Sequence, residues 1–128
     1  MRTRRRTRQA AFRHGHVAEA AAALLLLAKG FRLIARRYRT PLGEIDLIAK
    51  RGRLIAFVEV KARPSEMEAL ESVGRFAERR IVDAADLWLA NHPDAADLDL
   101  RYDMIVVTPW RLPRHIADAF RPGFQKVV

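Results

Sequence analysis

Two apolar runs joined by a short glycine-containing turn constrain this chain more than any other feature. The first covers residues 44–50, Glu-Ile-Asp-Leu-Ile-Ala-Lys, and the second covers 53–62, rich in Ile, Phe and Val. Such runs on either side of Arg51-Gly52 predict an antiparallel β-hairpin. Three ionisable side chains interrupt them. Asp46 stands between Ile45 and Leu47, and Glu59 and Lys61 flank Val60. Apolar surroundings make a bare carboxylate costly unless it is paired or bound to a metal.

Strand parity turns this into a geometric expectation. Residues i and i+2 of a strand share a face, so Glu59 and Lys61 point the same way. A two-residue loop at Arg51-Gly52 pairs Lys50 with Arg53. Asp46 then lies opposite Phe57, Glu44 lies opposite Glu59, and all three ionisable groups converge on one face. Asp46 and Glu59 become diagonal neighbours, about 7–8 Å apart at the backbone. A one-residue bulge would turn Asp46 to the other face. Two carboxylates and a backbone carbonyl make a hard oxygen site suited to Mg²⁺, with Mn²⁺ as a substitute. The lysine can orient or deprotonate an attacking water, or neutralise charge growing on a phosphorane. The same Glu-x-Lys spacing also serves as an ordinary structural ion pair, and spacing alone leaves both readings open.

The rest of the chain reads as one α/β domain over 14–128, preceded by a basic flexible tail over 1–13. An alanine- and leucine-rich helix is expected over 15–29, ended by Gly30 in a left-handed conformation. A strand is expected over 31–38 and a turn at Thr40-Pro41-Leu42-Gly43. After the hairpin come a polar loop over 64–71 and a long helix over 72–91. Phe76, Arg80, Ala84, Leu87 and Trp88 sketch one face of that helix, and His92-Pro93 stops it. A fourth strand follows over 98–108, and a short one over 114–117. The order α-β-β-β-α-β gives a mixed β-sheet flanked by helices.

Charge is unevenly distributed. Six arginines and no acid occupy residues 1–14, and nine bases oppose three acids over 30–63. Residues 64–128 hold eight bases against eleven acids. A basic first half favours phosphate backbones through counterion release, although anionic lipid also attracts such patches. No cysteine is present, which excludes disulfides, thiolate zinc sites and a cysteine nucleophile. The apolar run 17–28 is broken by Glu19 and is shorter than the roughly 20 residues of a bilayer span. It also lacks a clear cleavage site after it, so we expect a cytoplasmic protein without a membrane partner. His14 and His16 read as solvated, His92 as a helix C-terminal cation, and His115 has no evident partner. Trp88 and Trp110 read as core or rim residues.

Gly43-Glu44-Ile45-Asp46-Leu47-Ile48, followed by Phe57-Val58-Glu59-Val60-Lys61-Ala62-Arg63, resembles the YraN family, a bacterial family placed in the PD-(D/E)XK nuclease superfamily. Gly30-Phe31, Arg101-Tyr102-Asp103 and Ala119-Phe120 extend the resemblance. It implies a restriction-endonuclease-like core in which Asp46 and Glu59 bind metal and Lys61 assists hydrolysis. It further implies Glu19 as a helix acid approaching the site, and Arg39, Arg63 and Arg37 as phosphate contacts. A homodimer is implied only by analogy with resolvases. Two departures stand out. The acidic stretch 65–70 replaces an aromatic-glycine element, and Ala77 stands where the family tends to carry lysine. Three functions follow as expectations: a Mg²⁺-dependent nuclease acting on nucleic acid, expected to be DNA, branched or single-stranded; a nucleic-acid-binding module without turnover; and a protein-interaction domain in which Asp46, Glu59 and Lys61 form a structural ion cluster.

Overall fold

The sheet is built outward from the hairpin. In a computed structural model, β2 (Gly43–Arg51) pairs antiparallel with β3 (Leu54–Ala62), and β1 (Arg32–Thr40) pairs with the outer edge of β2. The structure describes the backbone of residues 2–71 and 75–121, and the side chains of 15–69 and 78–121. On the other side, β4 (Asp99–Val107) runs parallel to β3, and β5 (Arg114–Phe120) returns antiparallel to β4. The spatial order is therefore β1-β2-β3-β4-β5. Helices α1 (Arg2–Ala28), α2 (Glu66–Glu71) and α3 (Arg75–Ala90) complete the α/β architecture, a five-stranded mixed sheet flanked by helices. Strand order and helix placement are consistent with a restriction-endonuclease-like core.

Each helix has a sequence reason for its place. On α1, Ala18, Ala22, Ala23 and Leu26 are buried. Ala22, Ala23 and Leu26 pack on Leu47, Ala49, Ala56, Val58 and Ile105. Alanines let the helix backbone approach the sheet closely. Gly30, at φ 89, ends the helix as anticipated. Its N–H donates to the Leu27 carbonyl at 3.0 Å and that of Phe31 to the Leu26 carbonyl at 2.9 Å, the two bonds of a Schellman cap. The helical backbone begins at Arg2, well before Gly15. The side chains of the expected basic tail lie outside those described.

The opposite face of the sheet carries α3. Its buried residues are Ile81, Ala84, Ala85 and Trp88, which pack against Ile45, Ile48, Phe57 and Met104. This i, i+3, i+4, i+7 stripe differs from the face expected from sequence. Arg80 is exposed, and Ile81 takes its place in the stripe. Phe76, Ala77 and the expected helix start at Ser72 lie outside the described side chains. Residues 66–71, expected as loop, are helical. Ser65 explains this: its hydroxyl accepts the Glu68 N–H at 3.2 Å, and Glu66 and Glu68 lie in the first turn. Ser-x-x-Glu is a helix-start signature that the polar composition concealed.

The hairpin turn is shifted by one residue from expectation. Arg51 pairs with Leu54, so the two-residue loop is Gly52-Arg53. Gly52 at φ 60 supplies the positive dihedral that a tight hairpin loop needs at its first position. The fourth strand falls where expected, and β5 extends to Phe120 rather than stopping near Ala117. Among the described residues, no helix is long and apolar enough to cross a membrane.

Candidate metal and nucleic-acid site

The shifted turn changes which residues face each other. The ladder runs Lys50↔Ile55, Ile48↔Phe57 and Leu47↔Val58, where the paired residues end. Phe57 therefore faces Ile48 and not Asp46, and Glu44 does not face Glu59. Extending the register by one step puts Asp46 directly opposite Glu59. The hairpin opens there, and the Asp46 carboxylate fills the opening. Its Oδ2 accepts the backbone N–H of Val60 at 2.7 Å.

Asp46 and Glu59 come into side-chain contact. Burial pushes the Asp46 carboxyl up to about 7, and the neighbouring negative charge of Glu59 adds to the rise. The Val60 N–H opposes the shift, Glu44 reinforces it, and a side-chain hydrogen bond joins Asp46 to Glu59. Lys61 Nζ lies 3.2 Å from Glu59 Oε1, and their side chains are only 17% and 15% exposed. The structure thus connects Asp46, Glu59 and Lys61 in a line.

The three do not share one simple face. Phe57 packs on the α3 side and Val58 on the α1 side. Strict alternation then directs Glu59 and Lys61 toward α3. Asp46 instead lines a cleft of about 1070 Å³ on the α1 side. The alternation of β2 breaks at this residue: Ile45 belongs to the α3-side core and Leu47 to the α1-side core. The carboxylates meet because the ladder has parted between them.

The neighbouring strand keeps its register at this level, its shift lying between Leu33 and Ala35, but its backbone is unusual here. The β1–β2 register passes from Arg36↔Leu47 to Tyr38↔Ile45, and the intervening Arg37 has φ 51. An arginine in the left-handed region is strained. The consequence is visible in the side chains. Arg36 and Arg37 are adjacent, yet both reach Glu19 of α1. Arg36 Nη2 lies 3.2 Å from Oε1, and Arg37 Nε lies 2.9 Å from Oε2. Two consecutive strand residues meet one partner only where alternation fails. Arg37 also contacts His16.

Glu19 is buried, and these two arginines hold it. It lines the same cleft as Asp46, together with Arg37, Arg39 and Arg63. The cleft therefore gathers the three arginines and the helix acid singled out from sequence, while Glu59 and Lys61 adjoin it through Asp46. Arg39 is exposed and pairs with Glu44 at 3.6 Å. Among the described residues, no group of three or more His, Cys, Asp or Glu side chains is arranged to hold a metal ion. The donors that fit a hard cation are the neighbouring carboxylates of Asp46 and Glu59, whose mutual repulsion a proton or a cation would relieve.

A second polar centre escaped the sequence reading. Asp103 on β4 is fully buried and accepts four hydrogen bonds. Arg101 Nε and Nη2 grip its two oxygens at 2.8 Å each. His115 Nε2 lies 2.8 Å away, and the Asp118 N–H donates at 2.9 Å. Burial alone would raise this carboxyl, but the bonds from His115, Arg101 and Asp118 outweigh it and hold it down at about 2. His115, whose partner was not evident from sequence, thus bridges Asp103 to Lys29, whose Nζ lies 2.9 Å from Nδ1. The Arg-x-Asp spacing on a strand was the available signal. His92 sits at the helix end as expected, its Nδ1 2.7 Å from the Trp88 carbonyl and its ring stacked on the Trp88 indole.

The profile of the uncharacterised protein family UPF0102 matches residues 18–107. The chain belongs to that family, the YraN family. A UPF0102 protein of Mesorhizobium japonicum is 55% identical over 89% of this chain and 91% of its own length. One from Rhizobium meliloti is 56% identical over 86% and 90%, and one from Bradyrhizobium sp. is 58% identical over 88% and 80%. The YraN match spans α1 through β4, so it contains Glu19, the parted hairpin, all three cleft arginines and Asp103.

Proposed function

We propose that this YraN protein is a Mg²⁺-dependent nuclease that hydrolyses phosphodiester bonds, with DNA as its substrate. The observation carrying this reading is the Asp46–Glu59 carboxylate contact, adjoined by Lys61, at a cleft lined by Arg37, Arg39 and Arg63. Asp46 and Glu59 would hold the cation, with Mn²⁺ as a substitute. When bound, it would polarise the phosphate and favour ionisation of an attacking water.

The chain's own residues account for the remaining requirements. Val60 N–H fixes one Asp46 oxygen beside Glu59. The Lys61 ammonium supplies positive charge where charge develops on the phosphorane. The arginines bind phosphates flanking the scissile one, and Glu19 positions Arg37. A second reading is a nucleic-acid-binding module without turnover. It is favoured by the two-carboxylate donor set, which supplies fewer ligands than many metal sites.

The test compares Mn²⁺-dependent cleavage of branched, single-stranded and duplex DNA and of RNA by wild type and Asp46→Ala. We expect cleavage by wild type and loss of at least a hundredfold in the variant, the scale of removing a positioned catalytic group. Equal cleavage by both proteins refutes the assignment. Salt-sensitive binding with no cleavage by wild type selects the binding module.

A further inference from the structure

The chain has two tryptophans, and the fold gives them opposite surroundings. Trp88 is in the core, 4% exposed, with its ring edge-on to Phe57. Trp110 is completely exposed, at 102%. An indole is among the most profitable groups to bury, so leaving one wholly in water forgoes a large stabilisation. Its backbone adds a second cost. Trp110 has φ 63, a left-handed conformation that bulky residues seldom adopt. Strain of this kind accumulates at binding and catalytic sites.

The position of the ring is the third observation. Val107, Thr108 and Pro109, immediately before it, line the arginine-containing cleft. The Arg63 N–H donates to the Val107 carbonyl at 3.2 Å, which ties this rim to the end of β3. Arg111 beyond the ring is exposed, and Leu112 is 91% exposed. An exposed aromatic ring and an exposed arginine therefore follow directly, along the chain, on the residues that line the arginine-containing cleft.

We propose that Trp110 is a stacking platform for an unpaired base of a nucleic-acid strand whose phosphates lie along Arg63, Arg37 and Arg39. This rests on the nucleic-acid reading of the cleft and narrows the substrate to strands with unstacked bases. Every base presents a π-face, so stacking tolerates any sequence while requiring that the base be free of its duplex neighbours. Blunt duplex offers such a face only at its ends. A Trp-Arg-Leu tip can also enter a lipid interface. The concave cleft lined by the residues just before this tip favours a strand over a planar bilayer.

The two tryptophans make the test direct, because only the exposed one can be quenched by a stacked base. Intrinsic fluorescence is recorded in EDTA, so that cleavage does not intervene, while a short oligothymidylate, a blunt duplex or phosphatidylglycerol vesicles are added. The oligothymidylate should quench strongly and the duplex weakly. Anisotropy of a labelled oligothymidylate should show about 5- to 150-fold weaker binding for Trp110→Ala, the usual effect of removing one stacked aromatic. Trp110→Phe should retain most of the affinity, and Trp110→Leu should be as weak as the alanine variant. All three should melt like wild type, since the ring packs on nothing. Undiminished binding by Trp110→Ala overturns the proposal, as does a response to vesicles without one to the oligonucleotide. If Arg63→Ala weakens binding and Trp110→Ala does not, stacking fails while the nucleic-acid reading stands. If wild type binds no nucleic acid, both fail.

Discussion

Asp46 shows how a single residue can depend on its protonation. Folding raises its carboxyl from 3.8 to about 7, chiefly through burial and then through Glu59. The folded protein therefore keeps a proton that the unfolded chain releases between about pH 4 and 7. Stability from this group is fully present below that window and declines as pH rises through it. The decline amounts to as much as about 4 kcal/mol, from the conversion of pKa shift to free energy. Asp46→Asn should remove this slope and melt at a higher temperature than wild type above pH 7 in EDTA. Thermal melts from pH 4 to pH 8 check it, and identical pH profiles for the two proteins would refute it. The acids stood out in the sequence as ionisable groups between apolar neighbours such as Ile45 and Leu47, although spacing alone left a structural ion pair open. The left-handed Arg37 did not stand out, since nothing in an arginine announces a positive φ. His115 was hidden for another reason: its partners Asp103 and Lys29 are distant in sequence and are united only by the sheet.

At the scale of elements, β2 and α3 are held at a distance that only glycine permits. A Cβ on Gly43 would collide with the Arg80 backbone carbonyl, its carbonyl carbon only 2.7 Å away. Gly43→Ala must therefore push α3 off the start of β2. We expect a loss of about 1–3 kcal/mol, the usual cost of overpacking, read as a lower urea midpoint with unchanged m-value. Unchanged stability would mean that α3 relaxes without cost. The hairpin and the helix-then-strand order that follows it could be read from apolar periodicity, because both depend on local patterning. The one-residue turn shift could not. Arg51-Gly52 and Gly52-Arg53 each place glycine in a two-residue loop, and only the observed register distinguishes them. The shift preserved parity, yet the expected single face still failed, because the ladder parts at Asp46 and a parted ladder no longer obeys alternation.

The charge map operates at the scale of the whole molecule. Arg37, Arg39 and Arg63 line one cleft, and all come from the basic stretch 30–63. If that cleft binds phosphates, affinity should fall linearly with the logarithm of salt concentration. Removing one phosphate contact should reduce the slope by about 1. Arg63→Ala should show this in titrations across a salt series, whereas a substitution at the acidic Asp94, far along the chain, should leave the slope unchanged. A wild-type slope near zero would exclude phosphate neutralisation as the source of binding.

The parallel pairing of β3 with β4 has a consequence for how this chain is made. β3 gains one neighbour within the hairpin, but its other edge waits for β4, which lies beyond α2 and α3. During synthesis from the N-terminus, that edge is open while the crossover is still being produced. An apolar strand with unpaired backbone groups invites association with other chains. Glu59 and Lys61 lie near the end of this strand, so the charges proposed for chemistry also act as gatekeepers on a nascent edge. Neutral replacements there would lower the yield of soluble chain before any activity could be measured.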